Sequence, residues 1–140
     1  MGVYRKILVP LDCSEVDEAI VCHVAALAKS EGATVVLAHV VHSHTLDQDR
    51  ALKERALACT TRHAAKLESI GVPTETLLLS GEPEVELVQA INNGDYDLIA
   101  MATHGHRFFL DVLLGSVSDH LKHEVSVPLL LVRGTACAEG

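Results

Sequence analysis

Two glycines and two serines in the last third of the sequence have the types and spacing that can bind an anion. Gly105 is followed by nine residues and then by Gly115 and Ser116, which open a predicted helix. Glycine lets the backbone approach a ligand closely, and the N–H groups at a helix N-terminus attract negative charge. The hydroxyls of Ser116 and Ser118 add donors for phosphate oxygens. A turn glycine followed by a helix N-cap would give the same pattern, so the motif alone leaves both interpretations open.

A second set of residues carries metal-type donors. The chain has nine histidines, and Cys13, His39 and His104 fall near the ends of predicted strands. Thiolate and imidazole are zinc ligands, so these three are candidates for a metal site. Their spacing over three separate strands matches no recognisable ligand pattern, and loop or structural histidines are the simpler interpretation. The four cysteines include no CxxC pair. We expect them to be reduced, with Cys22 and Cys59 as small core residues.

Residues for hydrolytic chemistry are sparse. The turn from Pro10 to Ser14 contains neither GxGxxG nor a P-loop motif, and no serine stands in GxSxG. Asp12 and Arg107 are the candidates for a catalytic group near the anion motif, whereas ATP hydrolysis also requires a held metal and a positioned base. The sequence therefore predicts a binding protein with at most slow turnover, and we assign no catalytic residue.

Alternating strands and helices must position these residues. Apolar runs predict strands over residues 6–10, 34–41, 73–79, 96–103 and 127–132. Helices are predicted from a capping-box-like start at Ser14 and Asp17, along an apolar stripe from Leu52 to Ile70, after Pro83 and after Ser116. A loop is predicted over residues 42–50, and His63 on the stripe is read as a core residue.

This alternation implies a single doubly wound, Rossmann-like α/β domain over residues 1–140, with 134–140 as a flexible tail. Its five-stranded parallel sheet would carry helices on both faces. Ligands bind such sheets at the carboxyl ends of the strands, where Asp12, Val40 and the segment after Ala102 fall.

The charge balance excludes several partners. Eleven basic against nineteen acidic residues give a net charge of −8, which disfavours nucleic acid and anionic membranes. No segment resembles a signal peptide or has the length of a membrane span. We expect a cytoplasmic protein without nucleic-acid or membrane partners.

Taken together, these segments resemble the universal stress protein (UspA) superfamily over residues 3 to 133. The resemblance rests on RKILVPLDCSE, AHVV, DYDLIAMATHG, LLGSVSDHL and VPLLLV. The ATP-binding branch of that superfamily carries Gly, two residues, Gly, nine residues and then Gly-Ser or Gly-Thr. Gly105, Gly115 and Ser116 match this pattern, and Ala102 replaces its first glycine. If position 102 requires a positive φ or lies in hard contact with the nucleotide, the added methyl weakens binding, and with an ordinary φ it costs little.

The resemblance implies a regulatory stress-response protein that binds ATP or AMP, with or without Mg²⁺ or Mn²⁺. Asp12 and the Val40 main chain would face ribose and adenine, and Gly115 and Ser116 the phosphates. The residues implied for this site are Pro10, Asp12, Val40, Ala102, Gly105, His106, Arg107, Gly115, Ser116, Val117 and Ser118. The alternatives are a nucleotide-free dimeric stress scaffold and a His-rich metal-binding variant.

The last predicted strand, Val127 to Val132, indicates a homodimer. It should lie at an edge of the sheet, and Pro128 near its start suits an edge position. An exposed apolar edge invites pairing, and contact with the same strand of a second copy would cover it. The resemblance implies the same arrangement.

Overall fold

Strands and helices alternate along the described part of the chain, as the sequence predicts. The computed structural model describes residues 2–15, 17–42, 45–102 and 126–132. The strands are β1 (Lys6–Pro10), β2 (Thr34–Val41), β3 (Thr74–Ser80), β4 (Leu98–Ala102) and β5 (Leu129–Val132). The helices are α1 (Asp17–Glu31), α2 (Leu46–Ser69) and α3 (Pro83–Asn93). The predicted helix after Ser116 and the predicted tail lie outside the described residues.

The five strands form one parallel sheet in the order β3-β2-β1-β4-β5. The chain winds outward from β1 to β3 and then returns to the other side of β1 for β4 and β5. The strand order therefore reverses between β1 and β4. This confirms the predicted doubly wound parallel sheet, in which ligands bind at the carboxyl ends of the strands beside such a reversal.

Helices cover both faces of the sheet. Side chains alternate along β1, so Ile7 joins the core under α1 and α2 while Leu8 joins the core under α3. Leu67 of α2 and Leu87 of α3 are buried in these two cores. Aliphatic side chains dominate both, as expected of a chain without tryptophan.

The helix α2 begins earlier than predicted, because residues 46–50 are helical rather than part of a loop. Thr45 caps it, and its side-chain oxygen accepts a hydrogen bond from the Gln48 N–H at 3.0 Å. The sequence pattern misses this turn because it faces solvent, with Leu46 89% exposed, and so lacks an apolar stripe. In the ranges that the structure describes, no helix has both the length and the apolar character to cross a membrane.

The strand β5 lies at one edge of the sheet, as predicted, and pairs with β4. It begins at Leu129, two residues after the predicted start at Val127. Leu130 packs against the core under α1 and α2, and Val132 is buried. Leu129 and Leu131 are 38% and 45% exposed. The edge therefore presents two large apolar side chains to solvent.

Candidate functional site

The loop after β1 is organised by the carboxylate of Asp17. Its oxygens accept hydrogen bonds from the backbone N–H groups of Asp12 at 3.2 Å and Cys13 at 2.8 Å. These bonds stabilise Cys13 at a φ of 60°, in the left-handed region that non-glycine residues rarely adopt. The Ser14 N–H and hydroxyl both donate to Asp12 Oδ1. The predicted capping box is therefore wrong, because Asp12, two residues earlier, binds the polar groups of Ser14.

A cleft of about 240 Å³ lies at the carboxyl ends of β1 and β2, bordered by α2 and the start of α3. Its wall combines apolar side chains with a few hydrogen-bonding groups, as is typical of small-molecule sites. The lining residues are Asp12, Cys13, Ser14, His39, Val40, Val41, His42, Leu52, Arg55, Ala56 and Pro83.

The structure places the described members of the predicted nucleotide site near the carboxyl ends of three neighbouring strands, β2, β1 and β4. Asp12 and Val40 line the cleft. Pro10 ends β1 and is in register with Ala38 of β2, while Ala102 ends β4 on the other side of β1. The remaining predicted residues lie outside the described ranges and are not tested: Gly105, His106, Arg107, Gly115, Ser116, Val117 and Ser118.

Ala102, which replaces a glycine of the ATP-binding pattern, has an ordinary strand conformation. It is the last residue of β4. Among the described residues, Cys13 is the one non-glycine residue with a positive φ. Position 102 therefore does not require the conformational freedom of glycine.

The sequence does not predict the contribution of α2 to the cleft. Leu52 and Arg55 both line it. Arg55 is exposed and ends the charged run from Lys53 to Arg55, which is typical of a solvated helix face. The signal that could have placed it is the spacing of Leu52, Arg55 and Ala56, which puts all three on adjacent turns of one helix side.

Two histidines at the end of β2 are held by backbone carbonyls. His39 Nδ1 lies 2.8 Å from the Leu11 carbonyl oxygen, and His42 Nδ1 lies 3.2 Å from that of Gly81. A carbonyl oxygen can only accept, so Nδ1 carries the proton in both rings. His42 Nδ1 also lies 3.7 Å from a carboxylate oxygen of Glu82.

Within the described ranges, the metal-type donors that converge are Cys13, Asp17 and Cys59. One donor atom from each lies within 4.8 Å of the others. His39 is not a member of this group, and His104 lies outside the described residues. The predicted set of Cys13, His39 and His104 therefore stays a prediction.

The two thiols of this group have different acidities. A hydrogen bond with Cys13 lowers the pKa of Cys59 to about 7, with a contribution from the charge of Arg62. The same bond raises the pKa of Cys13, which keeps its proton. Burial, reinforced by the charge of Asp12, raises the pKa of Asp17 to about 8. Cys59 is therefore the more readily ionised thiol.

Cys13 and Cys59 are free thiols, as expected. Cys22 is disulfide-bonded, so the prediction of reduced cysteines is wrong for this residue. Sequence spacing identifies adjacent CxxC pairs but does not show which distant cysteines meet in the fold.

Comparison with known proteins agrees with this architecture. The universal stress protein family model matches residues 3–133. A universal stress protein of Thermus aquaticus is 31% identical over 140 residues, covering 94% of this chain and all of the relative.

Two solved structures share the fold at lower identity. A universal stress protein in complex with cAMP has a TM-score of 0.73 at 19% identity, over 95% of this chain and 99% of that chain. The universal stress protein from Archaeoglobus fulgidus in complex with dAMP has a TM-score of 0.69 at 21% identity, over 94% and 99%. Given the family match over nearly its whole length, this chain belongs to the universal stress protein family.

Proposed function

We propose that this chain binds an adenine nucleotide, ATP or AMP, at the carboxyl ends of β1 and β2. The observation that carries the proposal is that Asp12 and Val40, which lie near the carboxyl ends of β1 and β2, line one cleft. An ionised carboxylate at Asp12 accepts hydrogen bonds from ribose hydroxyls. The apolar side chains of Val41 and Leu52 offer a surface for the purine ring.

The phosphates would extend from this cleft past β1 toward the end of β4. Gly105, the first glycine of the anion motif, follows Ala102 by three residues. The ordinary conformation of Ala102 supports this placement, since alanine in place of glycine has no backbone strain there. The related proteins in complex with cAMP and with dAMP support an adenine nucleotide as the ligand.

The nucleotide acts in this proposal as a regulatory ligand, with or without Mg²⁺ or Mn²⁺, rather than as a substrate for rapid turnover. The sequence has no P-loop lysine motif beside the anion motif. Steady-state phosphate release should stay far below about 10 per second, the median enzyme rate. Rapid Mg²⁺-dependent release that Asp12→Asn abolishes would contradict this view. The cytoplasmic location stays a prediction.

Calorimetric titration with ATP and AMP tests the binding site. Asp12→Asn should weaken binding at least about tenfold, because a hydrogen bond to a charged group contributes about 1.5–3 kcal/mol. Asp47→Asn makes the same chemical change on the exposed first turn of α2 and should leave affinity unchanged. Gly115→Val should abolish binding by blocking the backbone approach. Equal affinities for wild type, Asp12→Asn and Gly115→Val would show that the site is elsewhere.

The small-molecule content of protein purified without added nucleotide separates the alternatives. Co-purified adenine nucleotide supports the proposed ligand. Protein that carries none and shows no heat of binding with ATP or AMP would favour the nucleotide-free scaffold.

We also propose that β5 joins two copies of the chain. Leu129 and Leu131 leave apolar surface exposed at this edge, which pairing with the same strand of a second copy would cover. Leu131→Asp should yield monomer, measured by light scattering. It is a cleaner test than Leu130→Asp because Leu130 also packs in the core. Leu57→Asp, on the exposed side of α2, is the matched control. A monomeric wild type at micromolar concentration would contradict the dimer.

A further inference from the structure

We propose that Cys13, Asp17 and Cys59 form a binding site for a zinc-type divalent cation beside the cleft. The three residues come from the loop after β1, the first turn of α1 and the middle of α2. Their donor atoms lie within 4.8 Å of one another, and Cys59 Sγ is 3.8 Å from Asp17 Oδ2. The proposal does not depend on nucleotide binding, because none of its evidence involves the anion motif.

The spacing of the donors suits tetrahedral zinc. Zinc–sulfur bonds of about 2.3 Å and zinc–oxygen bonds of about 2.0–2.2 Å place neighbouring ligand atoms about 3.6–3.8 Å apart. The Cys59–Asp17 separation of 3.8 Å already meets this requirement. Donors at 4.8 Å would need to approach by about 1 Å, a shift that side-chain rotation can supply.

Hydrogen bonds outside the proposed metal position already orient the Asp17 carboxylate and hold the backbone of Cys13. Asp17 is 2% exposed and accepts the N–H groups of Asp12 and Cys13. Hydrogen bonds of this kind fix the ligands of protein metal sites and maintain their orientation. Cys13 is stabilised in a backbone conformation that few non-glycine residues adopt. The loop is therefore held by the Asp17 carboxylate, which is one of the proposed ligands.

The chemistry of the donors selects the class of cation. Two thiolates and one carboxylate suit zinc, whereas Mg²⁺ and Ca²⁺ prefer oxygen ligands throughout. A bound divalent cation would displace the thiol protons and compensate the negative charge of its three ligands beside the buried Asp17. Three protein ligands leave one coordination position open. This site is distinct in its ligands from any Mg²⁺ or Mn²⁺ that accompanies the nucleotide phosphates.

Cobalt titration of the full chain tests the proposal, with zinc as competitor and a phosphine to keep the thiols reduced. Co²⁺ replaces Zn²⁺ in thiolate sites and gives sulfur-to-cobalt charge-transfer absorption with the visible bands of tetrahedral cobalt. We expect one equivalent of cobalt, displaced by zinc. Cys13→Ser, Cys59→Ser and Asp17→Asn should each weaken binding by more than about 100-fold, since even residues that only orient ligands contribute about 10–100-fold.

Two control variants separate this site from other donors. Cys22→Ser removes a cysteine outside the group, which the phosphine frees from its disulfide, and should leave cobalt affinity unchanged. His39→Gln should also leave it unchanged, because the His39 ring bonds the Leu11 carbonyl and is not a member of the group. Thermal melting of each variant in the absence of metal shows whether it remains folded.

Absence of cobalt binding by folded, reduced wild type would overturn the proposal. So would cobalt that binds without charge-transfer absorption, or whose affinity survives the Cys13→Ser, Cys59→Ser double variant. The titration contains no nucleotide, and the ATP and AMP titrations contain no cobalt. Failure of the metal site and failure of the proposed nucleotide site therefore give different results.

Discussion

The two faces of the sheet bury different kinds of side chain. Among the described residues, the core under α3 is built from aliphatic groups such as Leu87 and Ile91. The helices on the other face also bury three polar side chains, Asp17, Thr60 and His63, each at most 2% exposed. Burying a polar group costs free energy unless hydrogen bonds compensate it. Substitutions of buried polar residues under α1 and α2 should therefore change the free energy of unfolding in a pH-dependent way. Substitutions under α3 should change it through packing alone.

The three buried polar side chains are not equivalent. The Thr60 hydroxyl donates to the Ala56 carbonyl at 2.9 Å, and Asp17 accepts two backbone N–H groups. Neither ring nitrogen of His63 has a hydrogen-bond partner within the described residues. Thr60 and Asp17 therefore have hydrogen-bond partners, whereas the burial of the two ring nitrogens of His63 is uncompensated.

The largest effect should come from the apolar face. Leu87→Ala should lower the free energy of unfolding by about 2–5 kcal/mol, because it removes buried methyl groups and leaves a cavity. Urea denaturation measures this change, and Val85→Ala, exposed on the same helix, should change stability by less than about 0.5 kcal/mol. The loss should be the same at pH 5 and pH 8. A cost that varies with pH would contradict the assignment of this face to packing alone.

Much of the fold follows from local sequence patterns. Strands buried on both faces of a parallel sheet are apolar along most of their length, which is why β2 is predicted with its observed bounds. Solvated turns carry no such pattern, so the first turn of α2 after Thr45 is missed. The start of β5 is placed two residues early because Val127 and Pro128 extend the apolar run without joining the strand.

The candidate site is less predictable because it depends on distant contacts. Asp12 and Val40 are found from their positions at the ends of predicted strands and from the family resemblance. The meeting of Cys13 and Cys59 is not found, because 46 positions separate them in the sequence and only the folded chain brings the loop after β1 to α2. The capping box is wrong for a local reason, because the Asp17 carboxylate binds the N–H groups of Asp12 and Cys13 rather than that of Ser14.

A smaller and pH-dependent effect should come from His63. Burial lowers the pKa of this ring, and the charges of Arg62 and Lys66 act in the same direction while Glu18 opposes them. The folded state therefore resists protonation. Stability should be fully present above the unfolded pKa of about 6.5 and should fall as pH drops through the lower folded pKa.

His63→Leu should stabilise the protein by about 1 kcal/mol at pH 8, because it removes two uncompensated polar atoms. The gain should grow toward pH 5, because the His63 ring of wild type binds a proton more readily in the unfolded state than in the folded state. Urea denaturation at both pH values measures the difference. His23→Leu makes the same change at an exposed position of α1 and should leave the pH dependence of wild type in place. An equal gain from His63→Leu at both pH values would show that this ring does not titrate with unfolding.

The smallest effect should come from the surface ion pairs that join the same two helices. Glu18 of α1 lies 2.8 Å from Arg62 and 2.9 Å from Lys66 of α2. Hydrogen bonds from Lys66 and then Arg62 lower the pKa of Glu18 to about 2, so the pairs persist above the unfolded pKa and are lost as pH falls through about 2. All three side chains are about half exposed, and solvent screens such pairs.

Glu18→Gln should therefore cost about 0.5 kcal/mol at low ionic strength and less in 1 M salt. Glu54→Gln, on the exposed side of α2, is the matched control in the same denaturation series. A loss from Glu18→Gln that is large and unchanged by salt would mean that the contact is buried in solution, and the contrast between a screened surface and a polar core on this face would fail.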